Sequence, residues 1–204
     1  MMNLLKTTIV LCAAALITGC GSNKVDNVKD YYMLNVSRSS VTSEPAEKKV
    51  DVVLIADKFA VAEGFGSTPF IYRNKKGLYE SDYYRRFFTD KGVMLSDITS
   101  QWLSDSGIFR LVTESKAGVM GDYRIKGLVT EMYADMSDSK NSFAKLKIRV
   151  FIVDKSGKAV FANTYDMTAP VAEASANAVV EATNNCVLQY LTALEADLIK
   201  APLP

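Results

Sequence analysis

Apolar and polar positions alternate most clearly over residues 143–153. There Ala144, Leu146, Ile148, Val150 and Ile152 are separated by Lys145, Lys147 and Arg149. A period of two predicts a strand with one core face and one wet face. Residues 123–136 make a second extended run that pairs with it. Asp154-Lys155-Ser156-Gly157 is a turn signal leading to a third run, residues 159–167, so an antiparallel meander is expected. Pro170 stops the sheet, because it has no N–H to give a ladder.

Elsewhere the period is helical. Met94, Ile98 and Trp102, with Leu95 and Leu103 beside them, recur at the spacing of one helix face, with Thr89 or Asp90 as cap and Gly107 as stop. From about residue 171 to 200, Ala178, Ala182, Cys186 and Tyr190 fall at successive fours, and Val179, Val187, Leu191, Leu194 and Leu198 widen the stripe. That pattern predicts a long helix laid on the sheet.

The first half is less regular. Residues 31–36 read as a strand, 37–48 as a polar loop, and the continuous apolar run Val50–Ala56 as a central strand buried on both faces. Residues 70–73 and 78–80 flank Asn74-Lys75-Lys76-Gly77 and predict a hairpin, while 108–113 form a strand before a Gly-punctuated loop. The order of elements predicts an α+β two-layer sandwich, a mostly antiparallel sheet with two main helices on one face.

The N-terminus changes the picture. Lys6 supplies a positive charge, residues 7–17 an apolar stretch, and Ile17-Thr18-Gly19-Cys20 looks like a lipobox. The stretch is too short for a bilayer span, which needs about 20 residues. Residues 1–19 are therefore read as a lipoprotein signal peptide cleaved between Gly19 and Cys20. Residues 20–30 are read as a flexible tether and 31–200 as one domain. Lipidation of Cys20 gives a durable anchor, since each buried methylene contributes about 0.8 kcal/mol and several chains act together.

Removing Lys6 with the signal leaves the mature chain with equal numbers of basic and acidic residues, from totals of 24 and 23. A neutral chain has no electrostatic footprint for nucleic acid. Cys12 leaves with the signal and Cys20 takes the lipid, so Cys186 has no partner for an intramolecular disulfide. It reads as a small buried hydrophobe, with a reactive thiol or an intermolecular pair as the alternatives; a homo-oligomer is a separate partner reading left open.

Catalytic chemistry is not evident. Histidine is absent, which removes the commonest general base and zinc ligand. No serine elbow or Walker sequence occurs, and Gly64-Phe65-Gly66-Ser67 lacks the third glycine of a dinucleotide loop. Asp135 with Asp138, or Asp82 with Glu80, read as solvated loop charge. No catalytic residue, metal or cofactor is expected beyond the lipid on Cys20. Residues 57–88 hold nine aromatics. Either they feed the core or they form an apolar patch, for which Tyr72, Tyr83, Tyr84, Arg85, Arg86 and Phe87 are the candidate partner contacts.

Several segments occur in a telling order. Tyr31-Tyr32-Met33-Leu34 follows the lipobox cysteine, then come Val50-Asp51-Val52-Val53-Leu54-Ile55 and Phe70-Ile71-Tyr72-Arg73. Tyr79-Glu80 then runs into Tyr83-Tyr84-Arg85-Arg86-Phe87-Phe88, followed by residues 101–109 and Tyr123-Arg124-Ile125-Lys126-Gly127. Over nearly the whole mature chain this resembles the ABC-type transport auxiliary lipoprotein family, accessory outer-membrane lipoproteins of Mce-type lipid transport systems. The resemblance implies a non-enzymatic, lipid-anchored protein on the periplasmic face of the outer membrane, a location with which Gly21 after the cysteine is consistent. The implied partner is an Mce-like or substrate-binding subunit of an ABC transporter. The alternatives are a carrier holding a lipid tail between helix and sheet, or an assembly factor for an envelope complex.

Overall fold

Residues 28–203 are described by a computed structural model. In chain order the elements are β1 (Asp30–Tyr32), β2 (Val50–Ala56), β3 (Ala60–Val61), β4 (Pro69–Arg73), β5 (Tyr79–Phe87) and α1 (Lys91–Ser106). They continue with β6 (Phe109–Glu114), β7 (Tyr123–Asp135), β8 (Phe143–Asp154), β9 (Ala159–Pro170) and α2 (Ala176–Lys200). The fold is α+β, with two helices and an open, mixed sheet of nine strands among the described residues.

β7 is the spine of the sheet. One edge carries the expected meander, β7–β8–β9, in two long antiparallel ladders. Its other edge is lined in turn by β2, β3 and β4, all parallel to it, at Leu54↔Tyr123, Ala60↔Leu128 and Tyr72↔Ala134. β6 lies parallel outside β2. α1 belongs to the crossover that such a parallel pairing requires. At the opposite end β5 pairs antiparallel with β4, and β1 joins β5 in parallel as the outer strand. The longest ladders are thus antiparallel, but the short strands of the first half are mostly parallel.

The alternation in β8 has its expected effect: Ala144, Leu146, Ile148, Val150 and Ile152 are all buried. They pack under α2, whose Val187, Leu191 and Leu194 are fully buried. α1 begins at Asp90, whose carboxylate accepts the N–H groups of Gly92 and Val93 at 3.0 and 3.3 Å. It ends at Gly107, left-handed at φ 67°. The helices lie side by side on one face, joined by the Thr99 and Tyr190 hydroxyls at 3.2 Å and by Trp102 Nε1 donating to Glu195 at 2.7 Å.

Several boundaries differ from expectation. β1 ends at Tyr32 rather than residue 36, and just beyond it the Asn35 N–H is drawn to the Asn184 side chain of α2 at 3.0 Å. α2 starts at Ala176 rather than near 171. The Val171 N–H is already committed to the Ser142 carbonyl, and Ser175 caps the helix through the Ala178 N–H. β9 runs through Pro170, which ends the strand as a residue without an N–H can. β5 extends to Phe87, well past the expected residue 80.

Candidate functional site

The β4–β5 hairpin builds the site. Asn74 Oδ1 accepts from the N–H groups of Lys76 and Leu78 at 3.0 and 3.2 Å, and Gly77 supplies the φ of 74° that closes the turn. The ladder then breaks. Ile71 faces Ser81, but Pro69 faces Arg86, so two steps along β4 span five along β5. The surplus is a bulge over residues 82–85. Asp82 pins it by accepting the N–H groups of Tyr84 and Arg85 at 2.8 and 3.0 Å.

This geometry divides the nine aromatics. Phe59, Phe70 and Phe87 are buried, with Phe70 and Phe87 rings 4.6 Å apart. Phe87 was expected at the surface as a contact residue, but pairing of β5 with β1 and β4 turns its ring into the core, where only 4% of it is accessible. Phe65, Tyr79 and Tyr133 form a separate triad with centroids 5.2–5.8 Å apart. Tyr83, Tyr84 and Phe88 are exposed, and Tyr72 and Arg86 are half-buried. Arg86 Nε is buried and has no hydrogen-bond partner among the described residues.

Tyr72 and Arg85 meet in a groove of about 280 Å³ between the hairpin, the end of β7 and the first turn of α2. Arg73, Glu80, Met136, Ser175 and Val179 are among the other residues that line it. Burial, followed by the negative charge of Asp82, pushes the Tyr72 phenol up to about 12, so it stays neutral. Arg73 Nη1 donates to Asp135 Oδ2 at 2.8 Å. Asp135 is therefore not solvated loop charge: it is 2% accessible. Burial alone raises its carboxyl, but hydrogen bonds from Ser137 and Arg73 outweigh that and hold it below the usual carboxylate range. Asp82, also expected in solvent, is half-buried in the bulge, whereas Asp138 and Glu80 are exposed.

Nothing in this arrangement pairs a nucleophile with a base. Among the described residues no group of three or more Asp, Glu, Cys or His is placed to hold a metal, and no helix is long and apolar enough to cross a membrane. A second cavity of about 190 Å³ beside α1 brings Asp97, Glu114 and Lys116 together. Burial, then the Glu114 charge, raises the Asp97 carboxyl there. No local pattern marks it, since Asp97 lies on α1 and Glu114 at the end of β6. Cys186 is buried as expected. Gly19 and Cys20 lie outside the described residues, as does most of the 20–30 segment.

No protein-family model and no curated protein sequence matches the chain. Its fold is similar to that of protein XCC0632 from Xanthomonas campestris, described under the family model DUF330. The TM-score is 0.72 at 19% identity, over 84% of this chain and 96% of that one. An uncharacterised protein is similar at a TM-score of 0.62 and 11% identity, over 84% and 99% of the two chains. These likenesses establish a shared fold and carry no residue of the groove with them.

Proposed function

We propose that this chain is a lipid-anchored periplasmic accessory subunit of an ABC/Mce-type intermembrane lipid transport system and works by protein contact, not by catalysis. The lipobox and the ordered segments that resemble the auxiliary lipoproteins support the placement. The observation that carries the contact role is the groove: Tyr72, Arg73, Arg85 and Met136, residue types enriched at interfaces, line one concave surface between the β4–β5 hairpin, the end of β7 and the start of α2. Its lining mixes the guanidiniums of Arg73 and Arg85, paired within the chain to Asp135 and Asp82, with the Glu80 carboxylate and apolar Met136 and Val179, which suits a partner segment of mixed polar and apolar character.

A carrier holding a lipid tail between helix and sheet fits less well. The apolar cleft lined by Phe70, Phe87, Met132 and Val179 measures about 10 Å³, room for about one water and no acyl chain. Affinity purification from cross-linked envelope membranes tests the contact role. The native chain should recover an Mce-like or ABC-transporter subunit, and Arg85→Glu should lower the yield about tenfold or more, as expected for an interface anchor. A native chain that recovers no such subunit overturns the proposal. Cys20→Ser should release the protein into the soluble periplasm, and retention on the membrane overturns the anchor.

A further inference from the structure

Beyond the groove, a row of side chains crosses the outer edge of the sheet. Tyr83 and Tyr84 stand on the β5 bulge with rings 5.1 Å apart. Lys29 Nζ lies 4.7 Å from the Tyr83 ring centroid. Two residues further along the same strand edge, Tyr31 meets Phe88 edge-on at 6.2 Å. Tyr83 and Phe88 are each about two-thirds accessible, at 66% and 67%, although the core has closed around their neighbour Phe87. Exposed aromatics spaced along the outer strands are a liability in water unless something covers them.

The tether identifies the cover. Val28, the first described residue, opens directly into this row, and it lies eight Cα–Cα steps from Cys20, with seven residues between. At ~3.5 Å per residue that is at most about 28 Å. A domain of this size is about 40 Å across. An anchor at Cys20 therefore holds this edge nearer the bilayer than any opposite surface. Tyrosine suits the interface, with an apolar ring for the acyl boundary and a hydroxyl for the headgroups. Lys29 can extend its ammonium to a phosphate while its stem stays on the Tyr83 ring.

We propose that the row Tyr84, Tyr83, Lys29, Tyr31 and Phe88 is a bilayer-contact ridge that lays the domain against the lipid surface and so fixes the direction in which the groove faces. This rests on reading Cys20 as a lipid anchor. Because the ridge is aromatic and the mature chain neutral, contact with phosphatidylcholine should suffice and should persist at high salt.

The test places a tryptophan in the ridge, Tyr83→Trp, or in the 92% accessible loop residue Met120 as Met120→Trp, in the full mature chain on phosphatidylcholine vesicles. Buried Trp102 contributes equally to both. Mass measurement of the native protein decides separately whether Cys20 carries acyl chains. If it does not, the anchor reading fails, and the ridge is still tested by coupling a maleimide lipid to Cys20 while Cys186 stays buried. Brominated phosphatidylcholine should quench the residue-83 reporter about twofold more than the residue-120 reporter, and adding Tyr31→Ser with Phe88→Ser should abolish the difference. Equal quenching at the two positions overturns the ridge, as does protection of the residue-83 reporter by a second copy or a protein partner instead of lipid.

Discussion

Arg38 grips Glu195 with two prongs: Nε lies 3.0 Å from Oε2 and Nη2 2.8 Å from Oε1. Both side chains are largely buried, and Trp102 Nε1 adds a third donor to the same carboxylate. The 37–48 loop, α1 and α2 are thereby tied at one point. Truncating one partner strands the other charge, which costs about 3–5 kcal/mol in buried pairs. Arg38→Ala should lower the midpoint of urea unfolding correspondingly, whereas Lys155→Ala, which loses an exposed pair with Asp122, should leave it nearly unchanged.

Lys91 opens α1 fully buried, with Nζ donating to the Phe65 carbonyl at 2.9 Å. Burial lowers its ammonium from 10.5 to about 8, against a smaller opposing pull from Asp90. Between those values the unfolded chain holds a proton that the folded chain has released. Stability therefore rises with pH through that window. Lys91→Met removes this response. Its stability relative to the native chain should fall by roughly 3 kcal/mol between pH 8 and 10.5, measured by denaturant titration at each pH.

Asp135 titrates with the opposite sign. Its folded carboxyl sits below the ordinary 3.8, so its contribution is complete above that value and is lost as pH falls through the folded one. Asp135→Asn should lower stability by about 1–3 kcal/mol at pH 7. It should also flatten the loss below pH 4. Acid titration followed by circular dichroism reads both effects.

Gly127 exists to admit Phe59. A Cβ at that position meets the Phe59 ring at 2.5 Å, in a strand where most residues other than glycine would pack well. Gly127→Ala should cost about 1–3 kcal/mol through overpacking. Adding Phe59→Leu should make the second substitution less costly than it is alone, a coupling that a double-mutant cycle measures.

Cys186 sits against the Ala144 carbonyl at 3.4 Å, and burial pushes its thiol up to about 12. At pH 8 it carries almost no thiolate and no path to solvent. A maleimide reagent should leave it unmodified in the native protein and modify it completely in 6 M guanidinium. Labelling of the native state would show that α2 opens from the sheet.

Legibility tracked the range of each interaction. The caps at Asp90 and Gly107, the β8 alternation and the turn at Asp154 are local, and each was readable from a few neighbouring residues. The parallel seating of β2, β3 and β4 on β7 has no period of its own, since register between distant segments leaves no mark in either one. The first residues of β5 were legible as a hairpin arm, but its continuation to Phe87 escaped because the bulge at residues 82–85 breaks the alternation by which a strand is recognised. At the site, Tyr72 and Arg85 were found from residue type alone. Asp135 was misplaced because its partner Arg73 lies 62 positions away, and the contact between Tyr31 and Phe88 exists only once β1 has joined β5.

The seating of three short strands along β7 also governs timing. β2 can meet β6 and β4 can meet β5 before Tyr123, but the edge that joins β2, β3 and β4 into one sheet is β7, so the first half of the polypeptide lacks its common template until the second half has been delivered. Contacts this distant in sequence form slowly. Under the periplasmic placement proposed above, that delay is an asset: it postpones closure of the sheet until the second half of the molecule has also crossed.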